Sequence, residues 1–173
     1  MPPVLEPTED HRALLLELGR LAALTPPEVA ATYEGTRSGW SVGQHLEHIF
    51  RADELNLRAI EAIASGRDDS DAPPLSETAV EILSSGNIPR GVAGAPEAVI
   101  PPEIPDLYGL EELRQVQIRR WQTFDPSTVR ATTPDGRVGH PLLGAFGVAE
   151  WIRFAAIHTR HHRSIIEEIA GTR

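Results

Sequence analysis

Seven histidines could carry chemistry here: His11, His45, His48, His140, His158, His161 and His162. Three of them, His158, His161 and His162, crowd into five residues near the C-terminal end. The stretch around them has an apolar stripe, Trp151, Ala155, His158, His162, Ile165, Ile169, with alternating steps of four and three. That is a heptad seam of a core-facing helix. Two imidazoles on such a seam, one turn apart, have Cβ atoms about 5–6 Å from each other and point the same way. They can share one metal ion. A core built only for packing would place Leu or Ala there. Buried histidines also serve as hydrogen-bonded core residues, so the pair alone leaves both readings open. His161 lies off the seam and reads as a flanking residue.

Two ligands hold a metal weakly, so a third should come from another helix. His45 and His48 are the candidates. His48 shares a strip with Ala52, Leu55 and Ala59, whose small alanines leave room at a bundle centre. His45 sits between that strip and the strip of Val42, Leu46 and Ile49. Helical spacing prefers neither. His140, before Pro141, suits a pocket wall or a turn better than a metal. His11, in the first turns of the first helix, is expected at the surface.

The rest of the composition narrows the chemistry. The chain has 173 residues, no cysteine and, although Lys and Arg together number 16, no lysine. Thiol nucleophiles, disulfides, cysteine-held zinc and iron–sulfur clusters are excluded. So are a catalytic lysine and a phosphate-loop lysine. A formal net charge of −9 argues against a nucleic-acid groove or an anionic membrane surface. No apolar run approaches the roughly 18 residues of a membrane span. Met1 to Asp10 carries acids and prolines where a secretory leader needs a basic and then an apolar run. A cytoplasmic location is the expectation, and the absence of cysteine fits a reducing compartment.

Four main helices should position the histidines. Thr8 is placed to cap the first, which carries Leu14, Leu15, Leu18 and Leu21 and stops at Thr25-Pro26-Pro27. Ser41 and Gln44 form a capping-box pattern that opens the second, running to about Ala64 with Gly66 beyond. The third covers about Leu110 to Phe124 and the fourth about Val148 to Ala170. Residues 67–106 are rich in Pro, Gly, Asp and Ser and read as a long loop with a short helix near Glu77 to Ser84. Residues 125–146 read as another loop, with a turn at Thr133-Pro134-Asp135-Gly136. No alternating run is long enough to predict a strand. The expected fold class is all-α: one four-helix bundle over 1–173 with long connections.

Two stretches resemble the DinB/YfiT-like metalloenzyme superfamily. Trp40-Ser41-Val42-Gly43-Gln44-His45-Leu46-Glu47-His48-Ile49 is similar to its second-helix motif, a Trp followed eight residues later by His. Gly144 to Trp151, continuing to His158-Thr159-Arg160-His161-His162, is similar to its last helix, where Glu-Trp precedes a His-x-x-x-His pair. The resemblance leaves out 67–106. It implies a bundle of the DinB type and three metal ligands, His48, His158 and His162. His161 stands where the family often has Arg, and Ile165 where it often has Gln.

Three neutral imidazoles leave a metal one or more open positions, the pattern of catalytic sites. Zinc or nickel are the first expectations, then iron(II) or manganese, since histidine nitrogens suit all four. Such a site makes a nucleophile of water near neutral pH or accepts the sulfur of an external thiol. The resemblance implies low-molecular-weight thiols such as bacillithiol or mycothiol as partners, and a homodimer. The expected function is a metal-dependent hydrolase or thiol S-transferase acting on a small molecule. The alternatives are a non-catalytic, metal-binding stress-response bundle and an interaction protein whose histidines only hydrogen-bond. Asp53, Glu54, Glu150 and Arg153 are candidates for the mouth of the site, with no role assigned. Glu47 should point about 100° away from His48. Trp40, Trp121 and Trp151 read as packing anchors, and the loop 85–105 as a cover for the open end.

Overall fold

The computed structural model describes residues 6–26, 30, 39–69, 71–91 and 94–171. Met1–Leu5 and Pro27, on which expectations about a leader and a helix stop partly rested, lie outside them.

Helix α1 spans Pro7–Leu24. Its N-cap is Glu6 and not Thr8. Pro7 is the reason: it lacks an N–H and its fixed φ suits the first helical position, so the helix begins one residue ahead of the threonine. Thr25 closes it with both its backbone N–H and its hydroxyl on the Leu21 carbonyl. Helix α2, Val42–Ala64, opens on the expected capping box: the Gln44 N–H donates to the Ser41 hydroxyl oxygen, and the Ser41 N–H donates to the Gln44 side-chain carbonyl. Gly66 follows its end with φ +92°. Helix α3, Glu77–Ser85, sits inside the proline-rich stretch, capped by Ser76 and ended by left-handed Gly86. A single 3₁₀ turn, Glu97–Val99, comes next.

Helix α4 spans Leu107–Thr123, three residues earlier at its start than the apolar spacing predicts. Asp106 caps it by accepting from the Tyr108 N–H, which carries the helix through Gly109. Residues 125–146 are more ordered than the expected loop. Asp125 caps a short helix α5, Pro126–Thr132. After the turn at Thr133–Gly136, strands β1 (Val138–His140) and β2 (Gly144–Phe146) pair antiparallel, with Val138 opposite Phe146 and His140 opposite Gly144. Three-residue strands containing Gly139 and Gly144 carry no alternation to read. Gly144 is required: it has φ +92°, and a Cβ there would lie 2.1 Å from the Pro74 carbonyl oxygen. The segment before α3 runs against this hairpin, with Ala145 N–H donating to Pro73 O and Ser76 N–H to Leu143 O. Helix α6, Val148–Gly171, is the last of the described elements.

The four long helices form the bundle. α6 packs on α1 and α2, and α4 packs on α2 and α1. The core is filled by Leu14, Leu18 and Leu21 of α1, Ile49, Phe50 and Ile60 of α2, Trp121 of α4, and Ile152, Ala155 and Ile166 of α6. Among the described residues, no helix is long and apolar enough to cross a membrane.

Candidate metal centre

His48 projects from the second turn of α2, and His158 and His162 from the middle of α6. All three are buried. A nitrogen from each lies within 4.8 Å of a nitrogen from the others. Nδ1 of His48 is 2.8 Å from the Val99 carbonyl oxygen, which can only accept. His48 therefore carries its proton on Nδ1 and presents a bare lone pair at Nε2. Nε2 of His158 is 3.0 Å from that atom. Either His158 donates a proton to it, or the two lone pairs face a shared cation. In the second case the proton moves to Nδ1 of His158, a buried atom with no hydrogen-bond partner. A tetrahedral ion with metal–nitrogen bonds of about 2.0–2.1 Å holds its ligand nitrogens about 3.3 Å apart. The three residues fit such an ion.

Two neighbours support the triad. The first is Val99 itself, whose carbonyl fixes the tautomer and the ring of His48. It comes from the 3₁₀ turn in the loop expected to act as a cover. The second is His45, one turn before His48 and only 1% exposed. Its Nδ1 lies 2.9 Å from Nδ1 of His162. That contact lets His45 accept a proton from Nδ1 of His162 and leave Nε2 as the ligand nitrogen. His45 is thus part of the centre without belonging to the triad, a role the helical spacing gave no sign of. Trp40 is also at the site. Its ring centroid lies 5.0 Å from that of His48 and 5.4 Å from that of His45, and it stacks on His162. It walls the histidines as well as anchoring packing.

Burial keeps these rings neutral. Desolvation lowers the pKa of His48, His158 and His162, and neighbouring imidazoles push His158 and His162 further down. His45 falls to about 4 for the same reasons, burial first. Neutral imidazoles are the form a metal requires.

The triad forms one wall of a cavity of about 220 Å³. Ile88, Pro89, Gly94, Pro96 and Val99 line it, so these described residues of the stretch 85–105 border the same space as the histidines. That loop is tied down at several points. Arg160 donates to the Gly86 carbonyl, Arg90 pairs with Glu168, and Gln44 donates to the Pro102 carbonyl at 3.0 Å. On the other side the hairpin supplies His140, Leu142 and Leu143. His140 lines the cavity as expected, its Nδ1 accepting from the Leu142 N–H. Burial lowers it to about 4. His161 lines it too.

The charged candidates for the mouth are elsewhere. Glu54 pairs with Arg58. Glu150 accepts from the Gly147 N–H and pairs with Arg137. Arg153 binds the Leu83 carbonyl and Asp10. Asp53 is fully buried, five residues beyond His48 and so about 140° around the helix. Glu47 pairs with Arg51, turned from the site as its position implies. His11 overturns the surface expectation: it is buried and donates from Nε2 to the Trp121 carbonyl at 2.7 Å. The last turn of α4 leaves carbonyls without helical partners, and His11 satisfies one of them.

No curated protein and no solved structure matches the chain. The family model described as DinB superfamily matches residues 8–166, a span that includes all three histidines of the triad and most or all of each of the four long helices. With that match over most of its length, the chain belongs to the DinB superfamily.

Proposed function

We propose that this protein is a metal-dependent enzyme, a hydrolase or a thiol S-transferase, in which His48, His158 and His162 hold one divalent ion. Zinc and nickel are the first choices, with iron(II) and manganese next. The observation that carries the reading is the convergence of three buried, neutral imidazoles on the wall of a cavity. A structural centre would be closed on all sides. This one has space beside it for a reactant. When bound, the ion supplies Lewis acidity that activates a water or thiol nucleophile and polarises the group it attacks.

The chain's own residues divide the remaining work. Val99 and His45 orient the ligand rings. Trp40 and the loop over the cavity limit the access of water. Among the described residues, no carboxylate lines the cavity, so the imidazoles outside the triad, His140 and His161, are the groups left to move a proton. His161 at the half-buried edge is the better placed to exchange that proton with solvent.

Elemental analysis of freshly purified protein tests the reading. The wild type is expected to carry about one divalent ion per chain. The triple variant His48→Ala, His158→Ala, His162→Ala should carry none. Equal metal content in the two would reject the centre, and metal without chelator-sensitive turnover on esters or thiol acceptors would leave only the binding role.

A further inference from the structure

The cavity beside the triad has a composition that selects its occupant. Its wall is mostly apolar and includes Leu55, Ile82, Ile88, Val99, Leu143 and Phe154. Among the described residues, no Arg, Asp or Glu lines it. The cations around it are engaged elsewhere: Arg90 with Glu168, Arg153 with Asp10 and the Leu83 carbonyl, and Arg160 with the Gly86 carbonyl. The polar side-chain groups that remain are imidazoles, the indole N–H groups of Trp40 and Trp151, and the amide of Asn56, which also lies near Asp53. A volume of about 220 Å³ lies below the roughly 300–1,000 Å³ of drug-sized pockets.

We infer that the substrate class of this site is small, uncharged and predominantly apolar: a molecule with a single donor atom, a thiol or an acyl oxygen, directed at the histidines and a hydrocarbon or aromatic body against the apolar wall. The inference rests on the metal-centre reading for the direction of the donor atom, and on the cavity alone for the body. An ionised group on that body would be buried without a partner and without its hydration shell. Thiols built on sugars or amino acids carry such groups, and their polar parts would have to stay outside the cavity. The body also meets aromatic surface, since Trp40, Trp151 and Phe154 all line the space.

A matched pair of probes tests this. Benzyl mercaptan and 4-(mercaptomethyl)benzoate differ by one carboxylate. Each is titrated into the protein as purified and after metal removal by chelator, with tryptophan fluorescence as the readout, since Trp40 and Trp151 line the cavity. The neutral thiol is expected to bind at least tenfold tighter in both forms. In Leu142→Arg, a substitution at a half-exposed rim position that folding should tolerate, the preference should shrink or reverse. Equal affinity for the two thiols, or tighter binding of the carboxylate in the wild type, would overturn the inference. The two readings fail separately: a tenfold preference in the metal-free protein together with no metal uptake removes the metal centre and keeps the apolar cavity. Metal uptake without the preference does the opposite.

Discussion

Helix α2 carries two buried polar clusters that look alike in burial and differ in what faces them. The first contains His45 and His48 and reaches across to His158 and His162 on α6. The second, on the opposite side of the helix, is built around Trp121: Asp53 of α2 lies beside its indole, and His11 of α1 donates to its carbonyl. Both remove ionisable groups from water. In the first, the imidazole nitrogens converge and open onto a cavity lined by an apolar wall. In the second, neither Asp53, Trp121 nor His11 lines that cavity, and the groups face other protein groups. Burial of polar atoms therefore says little about function. The distinguishing mark is whether the unmet hydrogen-bonding capacity faces a space that something else can enter.

His45 gives the largest test of that difference. It contacts no open space of the cavity, yet it holds His162 in place through their 2.9 Å contact. His45→Phe keeps the ring and removes the acceptor. Metal affinity, measured by competition with a chromophoric chelator, should fall about 10- to 100-fold, the usual cost of losing such an outer partner. His45→Asn can again offer a polar atom near the Nδ1 position and should recover part of the loss. The melting temperature of the metal-free protein should change little in either variant. An affinity unchanged in His45→Phe would mean that His45 is only core.

Asp53 gives the next. Burial raises its carboxyl to about 8, with the Trp121 indole and the Asn56 amide opposing the shift but not in full hydrogen-bond contact. The folded protein thus keeps a proton on Asp53 that the unfolded chain, with its ordinary carboxylate, releases near pH 4. Across that interval the folded state binds more protons, so stability is highest at low pH and declines as pH rises toward 8. The histidines act in the other direction. His45 and His140, held to about 4, bind protons in the unfolded chain first, and their contribution is lost as pH falls below 6.5. Between pH 6.5 and 8 the unfolded chain sheds its remaining histidine protons while the folded chain gives up that of Asp53, and an Asp53→Asn variant, which keeps the histidines, separates the two. Urea titrations should show the wild type losing about 1.5 kcal/mol relative to Asp53→Asn over that window. A difference between the two that does not change with pH would mean that Asp53 is solvated.

Much of the candidate metal centre was legible from the chain, because helices repeat. The Ser41–Gln44 capping box fixes where α2 starts, and the four-three seam of α6 fixes which of its faces turns inward. Those two facts bring His48, His158 and His162 to one level of the bundle. The choice of His48 over His45 was not legible from spacing, because both face inward and they divide two roles. What closes the cavity was only half legible. The Pro/Gly-rich stretch announced a loop, but its placement depends on contacts far apart in sequence: Arg160 on Gly86, Gln44 on Pro102, His48 on Val99. The hairpin escaped entirely, since its pairing depends on Gly144 approaching Pro74 and not on any side-chain pattern. Asp53 looked like a mouth residue only until its angle on the helix was combined with the position of α4.

His11 is the smallest test and the cleanest contrast with His45. Both are buried histidines with one ring nitrogen within hydrogen-bond distance of a distant group. His45 meets another imidazole, while His11 meets the end of a helix. The spacing of α1 placed His11 in its first turns without revealing that α4 would end beside it. His11→Ala removes the donor to the Trp121 carbonyl and a ring that contacts Trp121 and Phe124. The carbonyl sits where α4 has no partner of its own to give, so stability should fall by about 1–2 kcal/mol, read from urea unfolding. Metal content should stay at the wild-type level, since α1 contributes no atom to the triad. Loss of metal in His11→Ala at unchanged stability would erase the boundary between the two clusters, and with it the rule that only the one opening onto a cavity is chemical.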